Sequence, residues 1–181
     1  NSRVEQSQPA NEGRRRRSPP VADRPPTSKR STAMASLEDQ PIRRLPTGSG
    51  EFDRVLGGGL VPGSLVLVGG DPGIGKSTLL LQSASTMAAQ TSVLYVSAEE
   101  SAQQVKLRWQ RLAGGPSDLQ LLAETDLELV LEELEALRPA VAIIDSIQAL
   151  HDANLPSAPG SVGQVRECAA ALQRLAKRQT T

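Results

Sequence analysis

A complete phosphate-binding loop occupies residues 70–77, where the sequence reads Gly-Asp-Pro-Gly-Ile-Gly-Lys-Ser. It matches the pattern G-x-x-x-x-G-K-[ST], in which the glycines let successive backbone N–H groups turn inward around an anion. The apolar run 64–68 before the loop predicts a buried strand, and the leucine and alanine content of residues 76–89 predicts a helix. A glycine loop between a strand and a helix is typical of a site that binds the phosphates of a nucleoside triphosphate.

The loop also supplies most of the predicted site residues. Lys76 can reach the β- and γ-phosphates as a point charge, so we expect it to act in both binding and catalysis. The Ser77 hydroxyl can ligate Mg²⁺, and the positive end of the following helix adds to the field around the phosphates. The predicted nucleotide-binding residues are Gly70, Asp71, Pro72, Gly73, Ile74, Gly75, Lys76, Ser77 and Thr78.

Two further predicted strands run into acidic residues. Residues 139–145 form an apolar run that ends in Asp145, which we expect to join Ser77 in holding Mg²⁺. Residues 91–97 form another such run and lead into Glu99 and Glu100. Hydrolysis needs a group that orients and deprotonates water, and Glu99 is favoured as that base because it lies nearer the strand end. Glu100 stays an alternative, although it can simply begin the next helix, where acidic residues are favourable.

The order of predicted elements indicates the fold class. Helices predicted at 101–113, 127–137 and 162–177 alternate with strands, and a short helix is predicted at 50–56. Alternation of this kind predicts an α/β protein with a parallel sheet covered by helices on both faces. The strands of that sheet are predicted at 64–68, 92–97, 119–122 and 140–145. The loop 152–161 is long for a compact domain, which is typical either of a ligand-binding element or of an ordinary connector.

The first part of the chain differs in composition from the rest. Residues 1–46 contain 10 basic and 5 acidic side chains and no aromatic residue, whereas the remainder contains 10 basic and 15 acidic side chains. We therefore predict a disordered linker at 1–38 and a folded domain at 39–181, because the linker has too little apolar surface to offset chain entropy. The four consecutive arginines at 14–17 could contact nucleic acid by releasing counterions, or could belong to a solvated basic linker.

Four segments around these motifs resemble one family. They read Thr-Gly-Ser-Gly-Glu-Phe-Asp-Arg-Val-Leu-Gly-Gly-Gly-Leu-Val-Pro-Gly at 47–63, Tyr-Val-Ser-Ala-Glu-Glu-Ser at 95–101, Ile-Asp-Ser-Ile-Gln at 144–148 and Pro-Gly-Ser-Val-Gly-Gln-Val-Arg-Glu at 159–167. With the phosphate loop they resemble the ATPase core of the RadA (Sms) family of bacterial DNA repair proteins, relatives of RecA and of DnaB-type helicases. The resemblance implies a P-loop NTPase with a RecA-like core, ATP and Mg²⁺ as cofactors, and Glu99 as the catalytic glutamate.

The resemblance also implies a function and partners. It implies a DNA-stimulated ATP hydrolase in recombinational DNA repair, which processes recombination intermediates by branch migration or strand unwinding. The implied partners are single-stranded or branched DNA, a RecA-type recombinase and further copies of the same chain in a ring. Two alternatives stay open: a DnaB-type helicase or clock-type RecA-like ATPase, and, from another class, a scaffold that binds ATP without hydrolysing it.

Some features of the RadA family are not found in this sequence. The family begins with a four-cysteine zinc module, but the only cysteine here is Cys168. The family's Lys-Asn-Arg-Phe-Gly motif and its Lon-protease-like domain are also not present. We therefore expect an internal fragment with a fold incomplete at its C-terminus, nearly inactive alone, with zinc confined to the missing N-terminal module. No apolar run is long enough to span a membrane and no signal peptide is recognisable, so we expect no membrane partner and a cytoplasmic location.

Overall fold

A computed structural model of the chain describes residues 32–38, 41, 43–112 and 118–179. The chain divides into two compact units, residues 1–40 and residues 41–181. In the first unit the described segment contains a single turn of 3-10 helix at Met34–Ser36. The rest of the predicted linker 1–38, with its four arginines, lies outside the described residues, so that prediction stays untested.

The second unit contains all of the α-helices and β-strands of the described chain. Strands and helices alternate as predicted from residue 76 onward, with boundaries that agree to within a few residues. The helices are Gly50–Val55 (α1), Lys76–Ala88 (α2), Ala102–Leu112 (α3), Leu127–Leu137 (α4) and Val162–Gln179 (α5), and the strands are Val93–Ser97 (β1), Gln120–Ala123 (β2) and Val141–Asp145 (β3). None of these helices is both long enough and apolar enough to cross a bilayer.

The three strands form a parallel sheet in the order β2-β1-β3. Ser97 at the end of β1 is in register with Ala123 of β2 and with Asp145 of β3. All three strands therefore end at one edge of the sheet, which is the edge where open parallel sheets bind ligands.

The central strand β1 is buried on both faces. Val93 and Tyr95 pack in one core cluster with residues of α2 and α3, such as Leu81 and Val105. The alternate residues of β1 pack in a second cluster with residues of α4 and α5, which include Val130 and Leu172. The predicted parallel sheet with helices on both faces is thereby confirmed, and it explains why β1 reads as a continuous apolar run.

The prediction of a strand at 64–68 is wrong for this structure. The segment is irregular, and Leu65, Val66 and Leu67 are 44%, 40% and 78% exposed. Together with residues of α2, β3 and α5, it lines an apolar cavity of about 530 Å³. A strand needs a neighbouring backbone to accept and donate its hydrogen bonds. No described segment pairs with residues 64–68, so their apolar character alone does not make them a strand.

A tight backbone crossing holds the chain just before this segment. Leu45 and Leu60 form an antiparallel bridge in which each backbone N–H donates to the other's carbonyl at 2.8 Å. Gly59 beside the bridge has a φ of +125°, and a Cβ added there would lie 2.4 Å from the Leu45 carbonyl oxygen. Only glycine combines this backbone angle with such a close approach.

We therefore expect Gly59→Ala to lower the free energy of unfolding by about 3 kcal/mol, because the added methyl group clashes with backbone at a strained φ. Gly50→Ala is the matched control. A Cβ at Gly50 meets nothing within 4 Å, so this change should leave stability within about 0.5 kcal/mol of the original. Chemical denaturation of the two variants measures the difference, and equal stabilities would contradict the structure of the crossing.

Candidate functional site: the phosphate loop and the carboxyl edge of the sheet

The phosphate loop leads into α2, which begins at Lys76. Gly73 and Gly75 have φ angles of +79° and +100°, which favour glycine. A Cβ built at either glycine has nothing within 4 Å, so this side of the loop faces open space. The first N–H groups of a helix lack intrahelical partners, and those of α2 can donate to an anion in that space.

Lys76 folds back over the loop that precedes it. Its Nζ donates hydrogen bonds to the carbonyl oxygens of Gly70 and Asp71 at 2.8 and 2.9 Å. An ammonium group has three donors, so these two contacts leave Nζ able to contact a further acceptor. The ammonium group of the predicted phosphate-binding lysine therefore lies against the phosphate loop, at the end of a flexible side chain.

Ser77 and Asp145 meet across the sheet edge although they are separated by 68 residues in sequence. The Ser77 hydroxyl donates to Asp145 Oδ1 at 3.1 Å. The sequence placed the two residues in one predicted magnesium site, and the structure brings their oxygen atoms into direct contact.

Sequence reasoning missed a third member of this group, Tyr95. Its hydroxyl donates to Asp145 Oδ2 at 2.6 Å. Burial and this hydrogen bond to Asp145 raise the pKa of Tyr95, so the hydroxyl keeps its proton and acts as the donor. The alternation of side chains along a strand offered a signal for this contact. Tyr95 lies two residues before Ser97 and therefore on the same face of the sheet, and Ser97 is in register with Asp145.

The two glutamates after β1 point to different partners. The Ser97 hydroxyl donates to the Glu100 carbonyl at 2.7 Å and accepts from the Glu100 N–H at 3.2 Å, which fixes the turn that carries both. Glu99 Oε1 accepts a hydrogen bond from the Ser146 hydroxyl, beside Asp145. Glu100 instead forms an ion pair with Arg108 of α3.

The structure therefore places Glu99 beside the end of β3 and pairs Glu100 with a residue of α3. Ser146 and Arg108 were not recognised from the sequence. Ser146 directly follows the predicted metal ligand, which was a usable signal, whereas a contact between Glu100 and Arg108 depends on where α3 packs.

The donor set at the edge suits Mg²⁺ that arrives with a nucleotide. A hydroxyl and a carboxylate supply hard oxygen ligands, but Mg²⁺ in proteins usually completes its octahedral shell with phosphate oxygens and water. Within the part of the chain that the structure describes, no three His, Cys, Asp and Glu side chains cluster as a metal site. The residues thus fit a metal that the phosphates help to hold.

The loop after β3 is tied to the start of α5. The side chain of Gln164 is buried. Its Nε2 donates to the backbone carbonyls of Asp152 and Ser157 at 3.1 and 2.9 Å. Its Oε1 accepts a hydrogen bond from the Asp152 N–H at 2.9 Å. One side chain therefore holds two points of the loop 152–161.

Comparison with known proteins agrees with the fold. The family model described as an AAA domain matches residues 30–181. The chain is 50% identical to DNA repair protein RadA of Bacillus subtilis over 152 residues, which are 83% of this chain and 33% of that protein. It is 57% identical to DNA repair protein RadA of Synechocystis, over 75% of this chain and 30% of that protein. The chain thus spans about a third of the length of these curated relatives.

A solved structure shows the same fold at low sequence identity. The structure of a DnaB-like replicative helicase, described with its interactions with primase, matches 81% of this chain and 44% of its own chain. The TM-score is 0.63 at 17% identity. The predicted RecA-like P-loop α/β fold is confirmed. The chain belongs to the AAA domain family, and within it resembles the bacterial DNA repair protein RadA.

Proposed function

We propose that this chain is the ATP-hydrolysing core of a DNA repair protein. The observation that carries the proposal is the meeting of Lys76, Ser77, Asp145 and Glu99 around one end of the sheet. Ser77 contacts Asp145 directly, and Glu99 contacts Ser146, the residue after Asp145. The relatives at 50–57% identity are named as DNA repair proteins, which supports the biological role.

The binding step follows from the loop and the helix. The open face of the glycine loop and the N-terminus of α2 would hold the phosphates through backbone N–H groups. Lys76 would exchange its loop carbonyls for β- and γ-phosphate oxygens, which carry full negative charge. Ser77 Oγ and Asp145 Oδ1 would hold the magnesium ion, which supplies charge neutralisation at the transferring phosphoryl group.

Glu99 is proposed as the group that activates water. Its carboxylate is exposed and free of any cation within the described chain, so it can accept a proton. The hydrogen bond from Ser146 orients one oxygen, and the other oxygen can accept a proton from water. Glu100 is less suited to this role because Arg108 neutralises it.

The finer parts of the function belong to the whole protein. We propose stimulation by single-stranded or branched DNA, branch migration or strand unwinding, cooperation with a RecA-type recombinase, a homo-oligomeric ring and a cytoplasmic location. The support is the similarity to the RadA proteins and, for ring assembly and DNA binding, the fold shared with a DnaB-like replicative helicase.

The two alternatives are weaker. A DnaB-type helicase shares the fold, but that likeness rests on 17% identity, against 50–57% for the RadA proteins. An ATP-binding scaffold would need no base at the sheet edge, yet an exposed carboxylate is held there by Ser146. Phosphate release by the whole protein, with and without single-stranded DNA, separates a DNA-stimulated hydrolase from a scaffold.

We expect Lys76→Ala to reduce ATP turnover of the whole protein to less than about a tenth, a loss of at least ~1.4 kcal/mol in transition-state stabilisation. The physical reason is the removal of a charge that faces the developing phosphoryl charge. Lys106→Ala, which removes an exposed lysine of α3, is the control and should keep normal turnover. Steady-state phosphate release measures both, and substantial activity of Lys76→Ala would exclude the proposed role.

Glu99→Gln should leave ATP binding intact while lowering hydrolysis by roughly 10²–10⁴-fold, because the amide keeps the hydrogen bond but cannot take a proton. Glu100→Gln is the matched control. It should keep hydrolysis and cost about 1 kcal/mol of stability at most through the weakened pair with Arg108. Binding of a fluorescent ATP analogue, phosphate release and denaturation are measured for both variants. Normal hydrolysis by Glu99→Gln with loss in Glu100→Gln would reverse the assignment.

A further inference from the structure

We propose that Tyr95 is a positioning residue that holds the Asp145 carboxylate in the orientation needed to bind magnesium with the nucleotide. The inference rests on the proposed function, since it concerns the same metal site. The inference adds Tyr95 to a site otherwise formed by the phosphate loop and by the acidic residues at the ends of β1 and β3.

The two oxygens of Asp145 have different partners. Oδ2 accepts the Tyr95 hydroxyl at 2.6 Å, while Oδ1 accepts the Ser77 hydroxyl at 3.1 Å. A carboxylate on a short side chain can turn about its terminal bond, and a partial turn would direct the oxygen that faces Ser77 away from it. A short charge-assisted hydrogen bond to Oδ2 opposes that rotation, so Oδ1 stays directed at Ser77.

Tyr95 can hold this position because its ring is fixed by the core. The residue is 1% exposed and packs among Leu81, Val105 and their neighbours between the sheet and α2 and α3. Its hydroxyl therefore cannot follow Asp145 if the carboxylate moves. A donor fixed by packing in this way positions a metal ligand more firmly than a water molecule would.

The arrangement differs from that of an ordinary buried tyrosine. A buried hydroxyl normally needs one partner, and any backbone carbonyl can serve. Here the partner is the carboxylate that also contacts the phosphate-loop serine, 50 residues along the chain from Tyr95. The contact therefore links the core directly to the proposed metal site.

The test compares Tyr95→Phe with the unmodified whole protein. The phenylalanine ring keeps the packing and removes only the hydroxyl. Magnesium is titrated at a fixed concentration of a fluorescent, non-hydrolysable ATP analogue, and the half-saturating magnesium concentration is read from binding. We expect it to rise roughly tenfold, as is typical when a partner of a metal ligand is removed. Ser83→Ala is the matched control, since it removes a buried α2 hydroxyl that has no hydrogen-bond partner among the described residues.

A second comparison places the same change in an Asp145→Asn background. If Tyr95 acts through the carboxylate, the added Tyr95→Phe change should then shift the magnesium requirement by less than about twofold. An equal tenfold shift in both backgrounds would overturn the inference, as would an unchanged magnesium requirement for Tyr95→Phe alone, even with a lowered melting temperature. Failure of the unmodified protein to bind the analogue at any magnesium concentration would instead overturn the proposed function, and the inference with it.

Discussion

The parallel pairing of β1 with β3 is the constraint on which the candidate site depends. Its register sets Ser97 beside Asp145, so that the turn carrying Glu99 and the end of β3 lie together. The backbone N–H of Ala98 donates to the Asp145 carbonyl at 2.8 Å and extends this pairing past the strand ends. A shift of one residue would turn Asp145 to the opposite face of the sheet, away from Ser77 and α2.

The core and the site are connected through the same strand. Burial of β1 between two helical layers stabilises the register of the sheet. The buried ring of Tyr95 is part of this core, and its hydroxyl donates a hydrogen bond to Asp145. The turn after β1 then separates its two glutamates, one directed to the sheet edge and the other to Arg108. Packing thus gives these two carboxylates different partners within one small region.

Much of the candidate site could be predicted from the sequence, because glycine spacing and strand ends are local features. The phosphate loop, Ser77 and Asp145 follow from them without any knowledge of packing. The sequence signals that Tyr95 and Ser146 lie near Asp145, but the contacts that their side chains make depend on rotamers and packing, which a single sequence does not specify. The error at 64–68 has a related cause, since an apolar run predicts burial but cannot show which backbone will pair with it.

A crystal structure of the whole protein with Mg²⁺ and a slowly hydrolysed ATP analogue would show directly whether these residues form the nucleotide and metal site. We expect the phosphates to lie in the loop, Mg²⁺ to bind Ser77 Oγ on the Oδ1 side of Asp145, and the Glu99 carboxylate to lie nearest the water facing the γ-phosphate. Phosphates bound outside the loop, or a different carboxylate in the place of Glu99, would contradict this expectation.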